Sequence, residues 1–160
     1  MPISVGDAIP AVKVMQATAE GPKEVDTGEF FKGRTVALFG VPGAFTPTCS
    51  AKHLPGFLAR NDDLRAKGVD EIWCLATNDA FVMGAWGRQE KTAGKIRMLA
   101  DGSAEFARQL GLELDLTARG MGVRMQRFSM LVDDGVVKQL NVEQGGKYEV
   151  SDADTLLKQL

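Results

Sequence analysis

One strand–loop–helix junction constrains the fold of this chain more than any other stretch of its sequence. Residues 34–41 are almost continuously apolar, which predicts a strand that is covered on both faces. A loop rich in glycine and proline follows, and apolar residues then recur at helical spacing from Leu54 onward. Thr46 is a good N-cap and Pro47 a good first helical residue. Cys49 is therefore expected in the first turn of the helix.

That position favours chemistry at Cys49. The thiolate is the reactive form of a cysteine, and the unpaired backbone N–H groups at a helix N-terminus stabilise negative charge. The opposite interpretation is an ordinary buried cysteine that only fills space in the core. The junction alone does not separate these two interpretations.

The composition excludes several other kinds of protein. The 160 residues suffice for one domain with a sizeable core, so a single domain over residues 1–160 is expected. A net charge of −2 gives no sign of a nucleic-acid or anionic-membrane partner. Two cysteines and one histidine argue against a four-ligand structural metal site. Without a recognisable membrane span, secretory signal or disulfide framework, a cytoplasmic location is expected.

Periodicity predicts that strands and helices alternate along the chain. An N-terminal hairpin is expected to end at residue 26, with Thr27 capping a short turn over residues 28–32. The further predicted elements are, in order, a strand over residues 34–41, a helix over 47–67 kinked at Pro55, a strand over 70–77, a helix capped by Asn78 or Asp79, a strand over 96–100, a helix over 103–110, an irregular segment over 112–123, a hairpin of strands 127–132 and 136–142, and a helix over 152–160 capped by Ser151. This order predicts an α/β fold with a mixed central sheet and helices on both faces. It is compatible with a thioredoxin-like fold that carries an N-terminal β-hairpin extension.

The motifs at the junction resemble a known family. Pro42, Thr46 and Cys49 have the spacing of the peroxiredoxin signature, and the longer string over residues 41–50 is similar to the type II, or "five", subfamily. Further similar strings follow in the same order over residues 53–57, 78–82, 85–87 and 127–130. The resemblance covers roughly residues 35–142, which makes it far more specific than the short cysteine signature.

The resemblance implies a thiol-dependent peroxidase. The thiolate of Cys49 would attack one oxygen of hydrogen peroxide or of an organic hydroperoxide and leave a cysteine sulfenic acid. By the same resemblance, Arg127 supplies a fixed positive charge whose planar fork can hold both sulfur and peroxide. Thr46 would hydrogen-bond the substrate, and Pro42 would shield one side of the sulfur.

Each of these roles has a plainer alternative. Without the resemblance, Arg127 is best explained as a solvent-facing charge on a strand. Arg124, three residues upstream, is an alternative candidate for the positive charge beside the sulfur. Thr46 can be a simple N-cap. His53, one helical turn after Cys49, is expected to line the pocket or to tune the thiolate, and its alternative is a structural surface histidine.

Cys74 bears on how the sulfenic acid would be reduced. Periodicity places it in a buried strand, where a cysteine is usually an inert core residue. Members of the plant kind carry a second cysteine at this place, so Cys74 is a possible resolving residue and an internal disulfide with Cys49 stays open. An external thiol, namely glutathione, glutaredoxin or thioredoxin, is the expected reductant. No bound cofactor and no metal is implied.

The resemblance also implies partners. A homodimer is expected through loops beside the site. Within the site, Gly43 and Phe45 are expected to line the pocket. Phe45, Phe81 and Trp86 are candidate dimer contacts, with core packing as their alternative. Neither nucleic acid nor a membrane is expected as a partner. A second hypothesis is a redox-sensing module of the same fold with little turnover, and a third is a non-enzymatic binding domain, against which the intact cysteine signature argues.

Overall fold

The computed structural model describes residues 2–144 and 147–160. Its strands are β1 (Lys13–Thr18), β2 (Gly21–Asp26), β3 (Thr35–Gly40), β4 (Glu71–Ala76), β5 (Arg97–Ala100), β6 (Glu113–Leu116), β7 (Gly122–Met125), β8 (Phe128–Asp133) and β9 (Val136–Val142). Its α-helices are α1 (Thr27–Phe30), α2 (Leu54–Ala59), α3 (Asn61–Ala66), α4 (Ala80–Glu90), α5 (Glu105–Leu110) and α6 (Ala153–Lys158). A π-helical turn over Cys49–His53 leads into α2, and a 3₁₀ turn over Thr117–Arg119 joins β6 to β7.

The central sheet is mixed, as the sequence predicts. Its strand order is β2-β1-β5-β4-β3-β8-β9. β5, β4 and β3 are parallel to one another, whereas β8 runs antiparallel to β3 and β1 runs antiparallel to β5. Gly40 at the end of β3 pairs with Phe128 at the start of β8. This register brings the loop that leaves β3 next to the residues that enter β8.

Helices cover both faces of the sheet, because β3 is apolar on both sides. Val36 and Leu38 belong to one buried cluster, which also contains residues of α5. Ala37 and Phe39 belong to a second cluster on the opposite face, together with residues of α2, α3, α4 and α6. The arrangement is a thioredoxin-like fold, and the predicted N-terminal hairpin is present as β1 and β2.

The single helix predicted over residues 47–67 is divided. Pro47 and Thr48 are helical, but Cys49–His53 form the π-helical turn, in which the Leu54 N–H donates to the Cys49 carbonyl. The wide turn directly precedes Pro55, which has no N–H to donate to the carbonyl four residues earlier. Arg60 leaves helical geometry (φ −100°, ψ 11°) and separates α2 from α3.

Two predicted N-caps are wrong by one residue. Asp26, not Thr27, caps α1, and Asp152, not Ser151, caps α6. In both cases a carboxylate adjoins the hydroxyl residue, and a full negative charge suits the positive end of a helix better than a neutral hydroxyl does. The side-chain hydroxyl is then free to form another hydrogen bond, as that of Ser151 does with the Glu143 carboxylate.

The segment predicted to be irregular over residues 112–123 contains a second, two-stranded sheet. β6 pairs antiparallel with β7 from Glu113↔Met125 to Leu116↔Gly122. Gly120 and Gly122 take positive φ values of 72° and 69°, which allow the tight connection. The strands are only four residues long, and the glycines obscure the alternation of apolar and polar residues by which a strand is recognised in a sequence.

Candidate active site

Cys49 is completely buried where β3, the following loop and the π-helical turn meet. It lies in the first helical segment after β3, as the junction predicts. Cys49 and Cys74 are both free thiols. The sulfur of Cys49 is therefore available for chemistry but is shielded from bulk solvent.

Arg127 contacts this sulfur from just before the neighbouring strand β8, which starts opposite the end of β3. It lies immediately before β8 rather than within the strand, contrary to the predicted boundary. Its Nη2 atom donates to Cys49 Sγ at 3.3 Å, and only 6% of the residue is exposed. A buried guanidinium stays protonated and favours a negatively charged sulfur beside it. The alternative of a solvent-facing strand charge is therefore wrong.

His53 holds the other arm of the same guanidinium. Its Nδ1 lies 3.2 Å from Arg127 Nη1, and its Nε2 lies 2.9 Å from the carbonyl oxygen of Ser151. A guanidinium can only donate and a carbonyl can only accept, so the proton of the ring is on Nε2. Burial, with the charge of Arg127 adding to it, lowers the pKa of His53 to about 3. His53 is thus a neutral, buried imidazole and not a surface histidine.

Arg124, the rival of Arg127, does not contact the sulfur. Its Nε donates to the Met121 carbonyl at 2.8 Å, and its Nη1 lies 3.5 Å from the Pro42 carbonyl. Arg124 therefore ties the β6–β7 hairpin to the loop that follows β3. The space at position 43 is narrow, since a Cβ there would lie 3.2 Å from Arg124 Nη1 and 3.2 Å from Thr46 Cγ2, so a larger residue would push these side chains aside.

Thr46 does not act as a side-chain N-cap. Its hydroxyl donates to the Gly43 carbonyl at 2.7 Å, and its own carbonyl accepts the Ser50 N–H at 2.9 Å. Thr46 and Pro42 are both half-buried. Both belong to the loop that joins β3 to Cys49, and both are more exposed than Cys49 itself.

Phe45 lies at the edge of this loop in a left-handed conformation (φ 64°) and is 46% exposed. Its ring is 6.3 Å from that of Trp86, which is fully buried. Of the two interpretations of Trp86, core packing is therefore correct and a dimer contact is wrong. Asn78, one of two candidate caps of α4, instead accepts the Ala44 N–H at 2.8 Å and braces the loop; Asp79 is the cap.

Comparisons with known proteins identify the family of the chain. The chain matches the Redoxin family over residues 4–157. It is 48% identical to Peroxiredoxin-2B of Arabidopsis thaliana over 162 residues, which cover 99% of each chain. The reduced Prx3 of Vibrio vulnificus in complex with H2O2 superposes with a TM-score of 0.93 at 49% identity and covers 98% of each chain. Peroxiredoxin 5 of Alvinella pompejana superposes with a TM-score of 0.87 at 38% identity, covering 98% of this chain and 97% of its own.

The chain is a type II peroxiredoxin. The resemblance drawn from the motifs is confirmed, and with it the activity of a thiol-dependent peroxidase. Within residues 2–144 and 147–160, no helix is both long and apolar enough to span a membrane, and no three Asp, Glu, His or Cys side chains converge as metal ligands do.

The second cysteine of this peroxiredoxin lies at the centre of the sheet. Cys74 pairs with Phe39 of β3 and with Met98 of β5, and it is fully buried. Burial raises the pKa of the Cys74 thiol, and the neighbouring Cys49 adds to the effect. The thiol is thus held in its unreactive protonated form in this conformation.

Two residues with contacts around His53, namely Glu143 and Tyr148, lie outside the sequence motifs. Glu143 is 5% exposed, and its carboxylate accepts hydrogen bonds from the loop that ends at Ser151. Tyr148, in the same loop, packs its ring edge-on against His53 at 5.2 Å and donates to the Lys52 carbonyl at 3.4 Å. The only signal at Glu143 is an acidic residue directly after a predicted strand, a pattern that ordinarily marks a solvated loop.

Proposed function

We propose that Cys49 is the peroxidatic nucleophile of this peroxiredoxin. Its thiolate attacks the nearer oxygen of a hydroperoxide, the S–O bond forms as the O–O bond breaks, and the other oxygen leaves as water or an alcohol after taking up a proton. The sulfur loses two electrons and the peroxide gains them. The observation that carries this proposal is the 3.3 Å contact of Arg127 Nη2 with Cys49 Sγ.

The other site residues fit supporting roles. Arg127 stabilises the thiolate and the negative charge that grows on the leaving oxygen. The Thr46 hydroxyl can turn from the Gly43 carbonyl to the peroxide, because a hydroxyl both donates and accepts. Pro42 is half-buried and Phe45 is exposed, which supports an approach of a small substrate along this loop. The structure of the Vibrio vulnificus protein in complex with H2O2 supports a peroxide as substrate.

An external thiol is the proposed reductant. One thiol condenses with the sulfenic acid and releases water, and a second thiol then reduces the mixed disulfide. The buried, protonated state of Cys74 disfavours an internal disulfide unless β4 or the π-helical turn opens locally. We propose glutathione with glutaredoxin, or thioredoxin, in this role and no prosthetic cofactor.

Assembly, location and domain organisation are also proposals. Phe81 is 75% exposed and Phe45 46% exposed, and these exposed aromatic rings support a homodimer through loops beside the site. Two free thiols in the chain support a reducing compartment such as the cytoplasm. One buried sheet with helices on both faces supports a single domain over residues 1–160.

A matched pair of cysteine variants tests the function. Cys49→Ser should lose peroxide consumption completely, whereas Cys74→Ser should keep multiple turnovers with glutathione and glutaredoxin. Activity that survives in Cys49→Ser would refute the assignment of the nucleophile. Loss of turnover in Cys74→Ser with every thiol reductant would show that the Cys49–Cys74 disulfide is required for recycling. A single oxidation without further turnover in the wild type would favour the redox-sensing alternative.

A further inference from the structure

Glu143 lies at the far end of a hydrogen-bond chain that begins at the reactive sulfur. One oxygen of its carboxylate, Oε2, accepts the backbone N–H groups of Glu149, Val150 and Ser151, each at 2.8 Å. The same oxygen accepts the Ser151 hydroxyl at 2.7 Å. Four donors thus converge on one carboxylate oxygen and fix the loop that ends at Ser151. We call this group of contacts the Glu143 clamp.

The clamp fixes the carbonyl that orients His53. Ser151 is fully buried, and its carbonyl oxygen accepts the proton on His53 Nε2. With that proton on Nε2, Nδ1 is left as an acceptor for Arg127 Nη1. A misplaced carbonyl would free the ring to rotate or to change tautomer, and a proton on Nδ1 would repel the guanidinium.

The guanidinium of Arg127 has few other restraints. Its Nε is buried and has no hydrogen-bond partner among the residues that the structure describes. Within the same residues, its side-chain hydrogen bonds go to His53 and to Cys49. The orientation of the fork toward the sulfur therefore depends on His53, and that of His53 depends on the clamp.

We propose that Glu143 is a positioning residue for the peroxidase reaction, which acts through Ser151, His53 and Arg127 on the sulfur of Cys49. The inference rests on the proposed role of Cys49. The backbone of Glu143 also contributes, since its N–H donates to the Arg127 carbonyl at 2.9 Å. A change of the side chain leaves that backbone contact in place, so the role of the carboxylate can be tested separately.

The experiment measures the single-turnover rate of oxidation of the reduced protein by H2O2. Glu143→Gln keeps the shape but removes the charge, and we expect a rate about tenfold lower, as is usual when an outer partner that orients a reacting group is lost. Ser151→Ala removes one of the four donors and should lower the rate about two- to threefold. Asp26→Ala, which removes the cap of α1 far from the site, should react like the wild type.

A double-mutant cycle separates positioning from general destabilisation. His53→Phe removes the hydrogen bonds that connect the Ser151 carbonyl to Arg127. Adding Glu143→Gln in this background should therefore change the rate less than twofold. Since the chain has a single histidine, its imidazole NMR signals are unambiguous. They should show the Nε2–H tautomer in the wild type and a mixture of tautomers in Glu143→Gln.

Several results would overturn the inference. They are a Glu143→Gln rate within twofold of the wild type, an equal penalty in the His53→Phe background, or unchanged imidazole signals. If Glu143→Gln does not fold, a wild-type rate in Ser151→Ala overturns it in the same way. If the wild-type protein itself does not oxidise at Cys49, the proposed function fails instead, which distinguishes the two failures.

Discussion

The Nη2 atom of Arg127 lies 3.3 Å from the Sγ atom of Cys49, although the two residues are 78 positions apart in the chain. The antiparallel pairing of β3 with β8 creates this contact, because Gly40 and Phe128 are register partners at the same edge of the sheet. The loop from β3 delivers the thiol, and the entry to β8 delivers the charge. The site thus depends on the sheet register as much as on the cysteine motif.

Arg127→Lys should slow the oxidation of Cys49 by hydrogen peroxide by about one hundredfold. A lysine keeps the charge but lacks the planar fork, whose two separate nitrogens donate to the sulfur and to the imidazole. Losing one such donor typically costs about 10²–10³ in rate. Stopped-flow measurement under single-turnover conditions gives the rate. Arg119→Gln, an exposed arginine in the 3₁₀ turn, is the matched control and should react normally. A lysine variant as fast as the wild type would mean that charge alone suffices.

Local pattern predicted the elements that carry the thiol. The apolar run before the loop and Pro47 at the helix start placed Cys49 correctly, because both signals act within a few residues. No local signal connects Arg127 to Cys49, since that contact depends on strand register. The family resemblance supplied it. The Glu143 clamp was missed for a different reason. Its donors lie only six to eight residues further along the chain, but no local pattern shows that this loop turns back onto the carboxylate.

Acid should destabilise the native state through His53. The pKa of His53 is about 3 when folded, because of burial and the nearby Arg127, against 6.5 for an ordinary histidine. Between these pH values the unfolded chain binds a proton that the native state does not. The free energy of unfolding should therefore fall with decreasing pH from about 6.5 toward 3, by ~1.4 kcal/mol per pH unit from this residue.

Urea unfolding of the wild type and of His53→Gln at a series of pH values checks this. Glutamine keeps a donor and an acceptor but does not titrate in this range. The difference in unfolding free energy between the two proteins should be constant above pH ~7 and shrink steadily below pH ~6.5. Two parallel curves down to acid pH would show that folding does not lower the pKa of His53.

Gly40→Ala should destabilise the fold and slow the reaction. A Cβ at position 40 would overlap the ring of Phe128 and lie 2.8 Å from Met125 Sδ. Overpacking of this kind typically costs about 1–3 kcal/mol. Because Phe128 adjoins Arg127, its displacement should also move the guanidinium.

Gly102→Ala is the control for this substitution. Its Cβ would meet nothing closer than 3.6 Å, so its stability should stay close to that of the wild type. Denaturant unfolding and the single-turnover rate are measured for both variants. A Gly40→Ala protein that is as stable and as fast as Gly102→Ala would contradict the packing seen at the β3–β8 edge.

The helix after Cys49 shows a further limit of sequence patterns. Pro55 correctly indicated a disturbance, but the helix accommodates it by a π-helical turn before the proline and a break at Arg60. The choice between a kink and a wide turn depends on packing. The turn places His53 among Phe39 and Phe57, at ring distances of 4.9 and 5.6 Å, and beneath the Ser151 carbonyl.

The most direct test of the claim that Cys49 is the nucleophile is to identify the residue that the peroxide oxidises. The reduced protein is mixed with one equivalent of hydrogen peroxide, trapped with a reagent selective for sulfenic acid, and mapped by peptide mass spectrometry. We predict that the trap is found on Cys49, while Cys74 and the seven methionines stay unmodified. Oxidation at Cys74 or at a methionine, with Cys49 still a free thiol, would contradict this account of the site.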